Sequence, residues 1–253
     1  MEKWIKLADR HLGIALSDLQ RWQFQVLQEE LLKWNKKINL TAIRDEKGIQ
    51  EKHFFDSLTC FMGFEEWPES LIDIGSGAGF PGLPVKIIIP ELRLTLVESV
   101  DKKANFCRHI VKTLELTDVC VLSKRAEEVG HMPEHREAYD IAIARAVAPA
   151  PTLAEYLLPL VKVDGRALMQ KGTRGPLEIL EAGKVIDLCG GEVSDLLRLN
   201  FDGIEGEGNL VIIDKLRHTP QDFPRAVGLP AKKPILTSDD EKYRKLFNEF
   251  LNG

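Results

Sequence analysis

Apolar and polar residues follow a helical spacing over the first 65 residues of the chain. Ser17 is a favourable N-cap residue, and Gln20 three positions later completes a capping-box pattern at the start of the longer helix. The apolar stripes contain Trp4, Leu7, His11 and Ile14 in the first helix, and Leu19, Trp22, Val26, Leu27, Leu31 and Trp34 in the second. This spacing predicts an N-terminal helical cap over residues 1–65.

Beyond residue 65 the pattern changes to short apolar runs that alternate with helical segments. The predicted strands are residues 71–75, 92–97, 119–122, 139–146, 167–170, 193–199 and 209–216, with helices over 102–114 and 177–188 between them. Strands alternating with helices predict a mostly parallel, Rossmann-like α/β sheet over residues 66–216. The connection between the last two strands is too short for a crossover helix, so we expect them to pair as an antiparallel hairpin.

Residues 217–253 form a third predicted segment. Its first part, residues 217–238, is rich in proline and carries more Arg and Lys than Asp and Glu. A rigid basic arm of this kind suits contacts with nucleic-acid phosphates. Ser238 and Glu241 then form a capping box that predicts a final helix. A second local surplus of positive charge lies between residues 33 and 53.

The central segment is organised around residues 71–84, where a buried strand breaks into alternating glycines and a helix follows. Such a turn lets the chain reverse sharply and lets a ligand touch bare backbone. An S-adenosylmethionine loop has the form acid-x-Gly-x-Gly-x-Gly, which is matched by Asp73, Gly75, Gly77 and Gly79. A dinucleotide loop has the form Gly-x-Gly-x-x-Gly, which is matched by Gly77, Gly79 and Gly82. The glycines alone leave both cofactors open.

Other residues favour S-adenosylmethionine. Pro81 and Pro84 remove two of the backbone donors that a pyrophosphate uses at a helix N-terminus. Asp73, at the end of the first strand, would sit badly beside a pyrophosphate, and a terminal antiparallel hairpin is typical of methyltransferases rather than dehydrogenases. Glu98 ends the second strand and is placed to accept hydrogen bonds from ribose hydroxyls. We therefore expect a class I S-adenosylmethionine-dependent methyltransferase fold, with an NAD-linked oxidoreductase as the alternative.

Polar residues at two other places are candidates for the ligand crevice. Arg145 ends the fourth predicted strand, where a charged side chain points towards the crevice of a parallel sheet. His53, Asp56 and Ser57 can gather on one side of a turn or helix. This triplet either orients a base or binds a ligand, or it consists of an N-cap and a structural histidine.

Composition and charge limit the remaining classes. The net charge is −5 over 253 residues, so nucleic-acid binding requires local basic patches. No apolar run approaches the roughly 20 residues of a membrane span, and the N-terminus has no secretory pattern. The four cysteines lack a paired spacing, which indicates buried thiols in a reducing cytoplasm. His131 and His135 have the spacing of zinc ligands, but Pro133 interrupts them and no third ligand is evident, so we expect no metal.

Several segments together resemble one family, the bacterial small-subunit ribosomal RNA guanine-7 methyltransferases called RsmG, formerly glucose-inhibited division protein B. The resembling segments are residues 34–41, 53–57, 73–84, 126–127, 144–146 and 224–234. The resemblance implies cofactor contacts at Gly75, Phe80, Ala126, Glu127 and Arg145. It also implies that the RNA side is lined by Asn39, His53, Asp56, Lys171 and Arg225. Leu229, where the family often has a small polar residue, and the long segment after Ser238 depart from the family pattern.

Two further functions are compatible with the same fold. A non-catalytic ribosome-binding protein is disfavoured because a dead site has no need of the intact glycine loop and Glu98. A methyltransferase that acts on a small molecule or a protein is disfavoured by the two basic segments. We therefore expect a cytoplasmic, monomeric enzyme that binds S-adenosylmethionine and methylates 16S ribosomal RNA, alone or in the small ribosomal subunit, without a membrane or a metal.

Overall fold

The computed structural model describes residues 2–237, so the helix predicted after Ser238 lies outside the described residues. The helices are α1 Glu2–Leu12, α2 Asp18–Asn35, α3 Glu46–Ile49, α4 Asp56–Leu58, α5 Gly82–Ile88, α6 Asp101–Thr113, α7 Ala126–Val129, α8 Ala150–Leu157, α9 Gly175–Leu188 and α10 Leu229–Lys232. A π-helical turn, Gln50–Phe55, joins α3 to α4, and 3-10 turns at Thr59–Gly63 and Leu158–Leu160 follow α4 and α8. The strands are β1 Ser70–Ile74, β2 Arg93–Val97, β3 Val119–Leu122, β4 Tyr139–Arg145, β5 Val161–Lys171, β6 Gly191–Leu199 and β7 Gly208–Lys215.

The strand pairing confirms the predicted fold class. The seven strands form one sheet in the order β3-β2-β1-β4-β5-β7-β6. Parallel pairs join β1 to β2, β2 to β3 and β4 to β5, whereas β7 pairs antiparallel with both β5 and β6. The sheet is therefore mostly parallel, and the predicted terminal hairpin is present.

Packing divides the described chain into two compact units. The first contains the residues up to Lys124 together with Phe201–Glu205, and the second contains the remaining described residues. The first unit holds β1 to β3 and α1 to α6, and the second holds β4 to β7 and α7 to α10. The domain boundaries predicted from the sequence after residues 65 and 216 stay predictions.

The N-terminal helices contribute directly to the core of the first unit. Trp4, Phe24 and Phe54 form an aromatic cluster with ring centroids 4.9 to 5.5 Å apart. Helix α2 packs against α5 and α6, which flank the parallel strands. Large buried aromatic side chains dominate the energy of such a core. The cap residues are therefore an integral layer of this unit.

The start of α2 follows the sequence pattern, but its apolar stripe is offset from the predicted one. Ser17 and Gln20 form the expected capping box, with their side chains and backbone amides bonded reciprocally at 2.9 and 3.3 Å. The Gln20 amide also reaches the Ile87 carbonyl at 3.0 Å, which ties α2 to the end of α5. Leu19 and Trp22 are 63% and 50% exposed, because the first turn of α2 turns these positions to solvent. The buried face starts at Phe24.

Strand β5 is longer than the sequence predicted. The sequence predicted only residues 167–170 for this strand, whereas β5 spans Val161–Lys171. In the structure Asp164 adopts a φ of +68° and the pairing with β4 shifts register, which is a bulge within one continuous strand. A Cβ on Gly165 would lie 2.6 Å from the Asp140 carbonyl oxygen, so glycine is required there.

Candidate functional site

The glycine loop follows β1 and has a backbone conformation that glycine adopts freely. Gly75, Gly77 and Gly79 have φ angles of +69°, +60° and +85°, a region that costs other L-residues energy. A Cβ built on Gly77 would meet only the Gly75 carbonyl oxygen, at 3.9 Å. A Cβ on Gly79 would lie 2.2 Å from Leu83 Cδ1. Gly79 is therefore required for packing of α5 on the loop, whereas Gly77 presents bare backbone to an open space.

Glu98 holds the loop from the end of β2. One oxygen of its carboxylate, Oε2, accepts the Gly77 amide at 2.9 Å, and Oε1 accepts the Val100 amide at 2.7 Å. The side chain is 6% exposed. The sequence placed Glu98 beside a ribose but gave no sign that it also fixes the loop, because that contact joins residues 21 positions apart.

The start of α5 has no backbone donor left for an anion. Gly82 donates its amide to Asp73 Oδ2 at 2.8 Å, and Leu83 donates to the Gly79 carbonyl at 2.7 Å. Pro81 and Pro84 have no amide proton to give. A pyrophosphate at a helix N-terminus needs such donors. The geometry extends the proline argument against a dinucleotide and assigns the buried Asp73 to the junction between loop and helix.

Phe80 and His53 form a stacked pair beside the loop. Their rings are 4.6 Å apart and inclined by 5°. The His53 Nε2 atom lies 2.8 Å from the Thr41 hydroxyl, and that hydroxyl also accepts the Ile43 amide at 3.1 Å. Phe80 is buried and His53 is partly buried. The structure thus brings a residue predicted for the RNA side against one predicted for the cofactor.

Asn35 organises the segment that carries Thr41, a role that the sequence pattern did not predict. Its carboxamide oxygen accepts the amides of Leu40 and Thr41 at 2.9 and 3.1 Å, and its NH2 group donates to the Thr41 carbonyl at 2.9 Å. It is 6% exposed although it lies at the end of an amphipathic helix. An asparagine at the end of a helical pattern, where its amide can bond the backbone of the following loop, is the sequence signal that could have revealed this role.

The remaining candidates of the first unit lie around the same segment. Asn39 is exposed beside Leu40, and Asp56 is partly buried at the start of α4. Ser57 is fully buried, and its hydroxyl donates to the His53 carbonyl one turn earlier. Ser57 is therefore built into the helix, whereas Asn39 is accessible from solvent.

In the second unit, Glu127 is a buried acceptor. Its Oε1 atom accepts the Tyr156 hydroxyl at 3.1 Å and the Gly228 amide at 2.8 Å. Burial, followed by the nearby Glu127 charge, raises the pKa of Tyr156 above its usual range. Ala126 is buried beside Glu127 at the start of α7, and Arg145 ends β4 partly buried. The cofactor contacts predicted for these three residues stay predictions.

Lys171 and Arg225 are both engaged by carboxylates of the second unit. Lys171 Nζ lies 2.6 Å from Glu178 and 2.8 Å from the Ala148 carbonyl, with its side chain 8% exposed. Arg225 makes a bidentate pair with Glu155, whose side chain is 1% exposed. These contacts anchor both cations, and their predicted RNA contacts stay predictions.

Two lysines are buried, which the sequence pattern did not predict. Lys86 donates to the carbonyls of Pro90 and Leu92 at 2.6 Å each, just beyond the end of α5. Lys215 donates to the Leu158 carbonyl at 2.6 Å and lies 3.1 Å from Glu137. Burial lowers the pKa of both lysines. Their role is to satisfy carbonyls and carboxylates inside each unit.

Three further features of residues 2–237 concern metal binding, membrane spanning and cavities. Residues 2–237 contain no group of three or more His, Cys, Asp or Glu side chains that could hold a metal ion. Across the same residues, no helix combines the length and the apolar character needed to span a membrane. A cavity of about 460 Å³ in the first unit is lined by Ile14, Phe61, Phe64, Trp67 and Ile88 among others, and shares no residue with the glycine loop.

Comparison with solved structures defines the class. A SAM-dependent methyltransferase from Aquifex aeolicus matches 72% of this chain and 97% of its own, with a TM-score of 0.50 and 15% identity. M. jannaschii TYW2 in complex with AdoMet matches 70% of this chain and 78% of its own, with a TM-score of 0.51 and 14% identity. At such identities the likeness concerns the fold alone. The chain has the fold of the S-adenosylmethionine-dependent methyltransferases.

Sequence comparison then gives the family. The family described as rRNA small subunit methyltransferase G matches residues 20–202. A protein named Ribosomal RNA small subunit methyltransferase G from Roseiflexus sp. strain RS-1 is 52% identical over 226 residues, 89% of this chain and 96% of its own length. A protein of the same name from Desulforamulus reducens is 42% identical over 232 residues, 91% of this chain and 97% of its own. The chain belongs to the rRNA small subunit methyltransferase G family, which confirms the resemblance and its class as an rRNA methyltransferase.

Proposed function

We propose that this chain transfers a methyl group from S-adenosylmethionine to the 7-position nitrogen of a guanine in 16S ribosomal RNA. Membership of the family supports the ribosomal RNA substrate. The cofactor assignment rests on the glycine loop. Gly77 has an open backbone face, and the start of α5 has no free amide for a phosphate. This combination suits an adenosine ligand without a pyrophosphate. An NAD-linked oxidoreductase is not favoured.

The residues around the loop fit this cofactor. Each Glu98 oxygen accepts one backbone amide, which leaves lone pairs for the two ribose hydroxyls. Side chains at Gly75 and Gly77 are excluded by backbone conformation, so the loop can approach a ligand closely. Asp73 holds the loop to α5 through Gly82. In this proposal Glu98 binds the ribose and Asp73 supports the loop.

The proposed reaction does not require the protein to transfer a proton. When bound, S-adenosylmethionine supplies an electrophilic methyl group. The 7-position nitrogen of guanine has a lone pair and no proton, so the chain needs no general base. Its residues have to align the two reactants and exclude water. The buried loop residues Ser76, Ala78 and Phe80 agree with that requirement.

Exposed residues of the first unit support contacts with RNA. Lys36, Lys37, Asn39 and Arg44 are all exposed between α2 and α3. Three of these side chains are cations, and the protein as a whole is acidic. A local basic surface in an acidic protein suits phosphate contacts. We therefore assign the RNA backbone to this segment, and place the enzyme in the cytoplasm with its ribosomal substrate.

The first experiment is calorimetric titration of the full chain with S-adenosylmethionine and, separately, with NAD. The variants are Gly77→Asp and the control Gly13→Asp. Gly13 has a similar φ of +67° and also has open space around its Cβ, but it lies outside the glycine loop. We expect wild type and Gly13→Asp to bind S-adenosylmethionine alone, and Gly77→Asp to bind neither ligand.

Methyl transfer is measured next on naked 16S ribosomal RNA and on assembled small subunits, with chemical cleavage at 7-methylguanine to locate the product. A product at one guanine supports the proposal. Binding of NAD without S-adenosylmethionine would overturn the cofactor assignment. Binding of S-adenosylmethionine without any 7-methylguanine in either RNA substrate would overturn the reaction.

A further inference from the structure

The ring of Phe80 is held from one side by His53. Phe80 belongs to the glycine loop, where its amide and that of Gly79 both donate to the Ser76 carbonyl, at 2.9 and 2.8 Å. The near-parallel stacking at 4.6 Å leaves the Phe80 ring little freedom to tilt without moving the His53 ring. The stacked pair thus joins His53 to the glycine loop through Phe80.

His53 lies in an unusual stretch of backbone. It occupies the π-helical turn Gln50–Phe55, between α3 and α4. Such turns are rare and occur frequently at functional sites. The neighbouring Phe54 and Phe55 are buried, whereas His53 is partly exposed. The turn presents His53 towards Phe80 and Thr41.

Thr41 fixes the other end of the histidine ring. Its hydroxyl lies 2.8 Å from Nε2 and is itself oriented by the Ile43 amide at 3.1 Å. Asn35 in turn holds the Thr41 backbone through both its amide and its carbonyl. A chain of contacts thus runs from Asn35 through Thr41 and His53 to the loop. It starts at Asn35, the buried last residue of α2, and passes through the segment between α2 and α3.

We propose that Thr41 and His53 are positioning residues that set the Phe80 ring, and with it the cofactor-binding form of the glycine loop. This inference rests on the proposed function, because it takes the loop to be the S-adenosylmethionine site. It also assigns His53 a different role from the RNA contact that the family resemblance implies. Thr41 acts through His53 and touches neither substrate nor cofactor.

The test compares Thr41→Val, Thr41→Ser and the control Thr113→Val. Valine removes the hydroxyl with little change in shape, and serine restores it. Thr113 also places its hydroxyl near a histidine nitrogen, His109 Nε2 at 3.5 Å, on the exposed face of α6. The full chain is titrated with S-adenosylmethionine by calorimetry, its melting temperature is recorded without ligand, and KM is measured separately for cofactor and RNA.

We expect Thr41→Val to weaken S-adenosylmethionine binding by about two- to twelve-fold, the range of one net hydrogen bond. Thr41→Ser and Thr113→Val should bind as wild type does. The KM for RNA should not change. In a His53→Phe background, which retains a stacking ring without Nε2, the Thr41→Val change should have no further effect, because the two residues act in one chain.

The outcomes distinguish failure of the proposed function from failure of the positioning role of Thr41 and His53. If wild type itself does not bind S-adenosylmethionine, the proposed function fails. If wild type binds and Thr41→Val binds equally well, the positioning role is wrong. An increase in the KM for RNA alone would return His53 to the RNA surface and also overturn this inference. A melting temperature lowered equally in Thr41→Val and Thr41→Ser, with equal loss of binding, would make Thr41 merely structural.

Discussion

Glu155 accepts hydrogen bonds from three donor groups of Arg225 within the second unit. The backbone amide donates to Oε1 at 2.7 Å, Nε donates to Oε1 at 2.9 Å and to Oε2 at 3.1 Å, and the terminal NH2 group donates to Oε2 at 2.8 Å. Glu155 is fully buried on α8, and Arg225 belongs to the basic segment after β7. The hydrogen bonds that Arg225 donates to Glu155 raise the pKa of Arg225 above its usual range. Arg225 is therefore held by a buried carboxylate and is not a free surface charge of this basic segment.

Replacing Arg225 by methionine should destabilise the protein by about 3 kcal/mol, because it leaves a buried carboxylate without its cation. The matched control is Arg217→Met. Arg217 pairs with Asp187, and both side chains are more than 60% exposed, so its loss should cost less than about 1 kcal/mol. Urea unfolding measures both. Equal losses in the two variants would contradict the buried role of the Glu155 pair.

Alanine substitutions in the loop should separate stability from binding. A Cβ on Gly82 would lie 2.5 Å from Leu96 Cδ2 and 3.0 Å from Asp73 Oδ2, so Gly82→Ala should cost about 1–3 kcal/mol through overpacking. Gly77→Ala meets no such contact and should cost about 1–2 kcal/mol from its positive φ alone.

Gly13→Ala is the control for Gly77→Ala, because both have a positive φ and open surroundings. We expect similar stability losses in these two variants by thermal unfolding, and weaker S-adenosylmethionine binding only in Gly77→Ala. Unchanged cofactor binding in Gly77→Ala would mean that the open face of the loop does not receive the ligand.

Glu137 should make stability depend on pH. Burial acts to raise its pKa, but hydrogen bonds from the Thr219 amide and His218, and the Lys215 charge, together hold the pKa below its ordinary value of 4.5. The carboxylate is thus bound more strongly in the folded state. Its contribution is fully present above about pH 4.5, and is lost as pH falls through the lower folded pKa.

The measurement is urea unfolding of wild type and Glu137→Gln between about pH 7 and pH 3. Wild type should be more stable at the upper end, and the two curves should converge towards the lower end. His218→Asn removes only the exposed partner of Glu137 and should retain most of the pH dependence. A constant difference across the whole range would show that the charge of Glu137 does not matter.

Thiol labelling should find one fast cysteine among four. Cys120 is exposed on β3, whereas Cys60, Cys107 and Cys189 are buried. Burial raises the pKa of both Cys107 and Cys189 to about 12, so little reactive thiolate forms at neutral pH. The native protein should react once with a thiol reagent, and four times in denaturant. Rapid labelling of a Cys120→Ser variant would contradict the buried placement.

The sequence predicted those features whose cause is local. The capping box at Ser17, the glycine turn after β1 and the antiparallel end of the sheet each follow from neighbouring residues or from the length of a connection. The predicted strand ends agree with the structure within one or two residues. The exception is β5, which contains a bulge at Asp164 and begins six residues before the predicted strand. Local pattern is reliable here because propensity and packing favour the same conformation.

The contacts that define the site could not be predicted in the same way. Glu98 reaches Gly77 across 21 residues, and Thr41 reaches His53 across 12. The partners in each contact are far apart in the sequence, so they can be identified only once the fold of the backbone is known. His53 was recognised as a polar candidate, but its stacking on Phe80 depends on a π-helical turn that no residue pattern announced.

The fully used amides at the start of α5 have a consequence for ligand choice in the cell. ATP and S-adenosylmethionine share the same adenosine group, so contacts to base and ribose cannot distinguish them. The start of α5 contains two prolines, and its other amides are bonded to Asp73 and Gly79. A triphosphate would lose water there without gaining backbone hydrogen bonds in return. If the loop binds S-adenosylmethionine as proposed, ATP should therefore compete poorly for the same site.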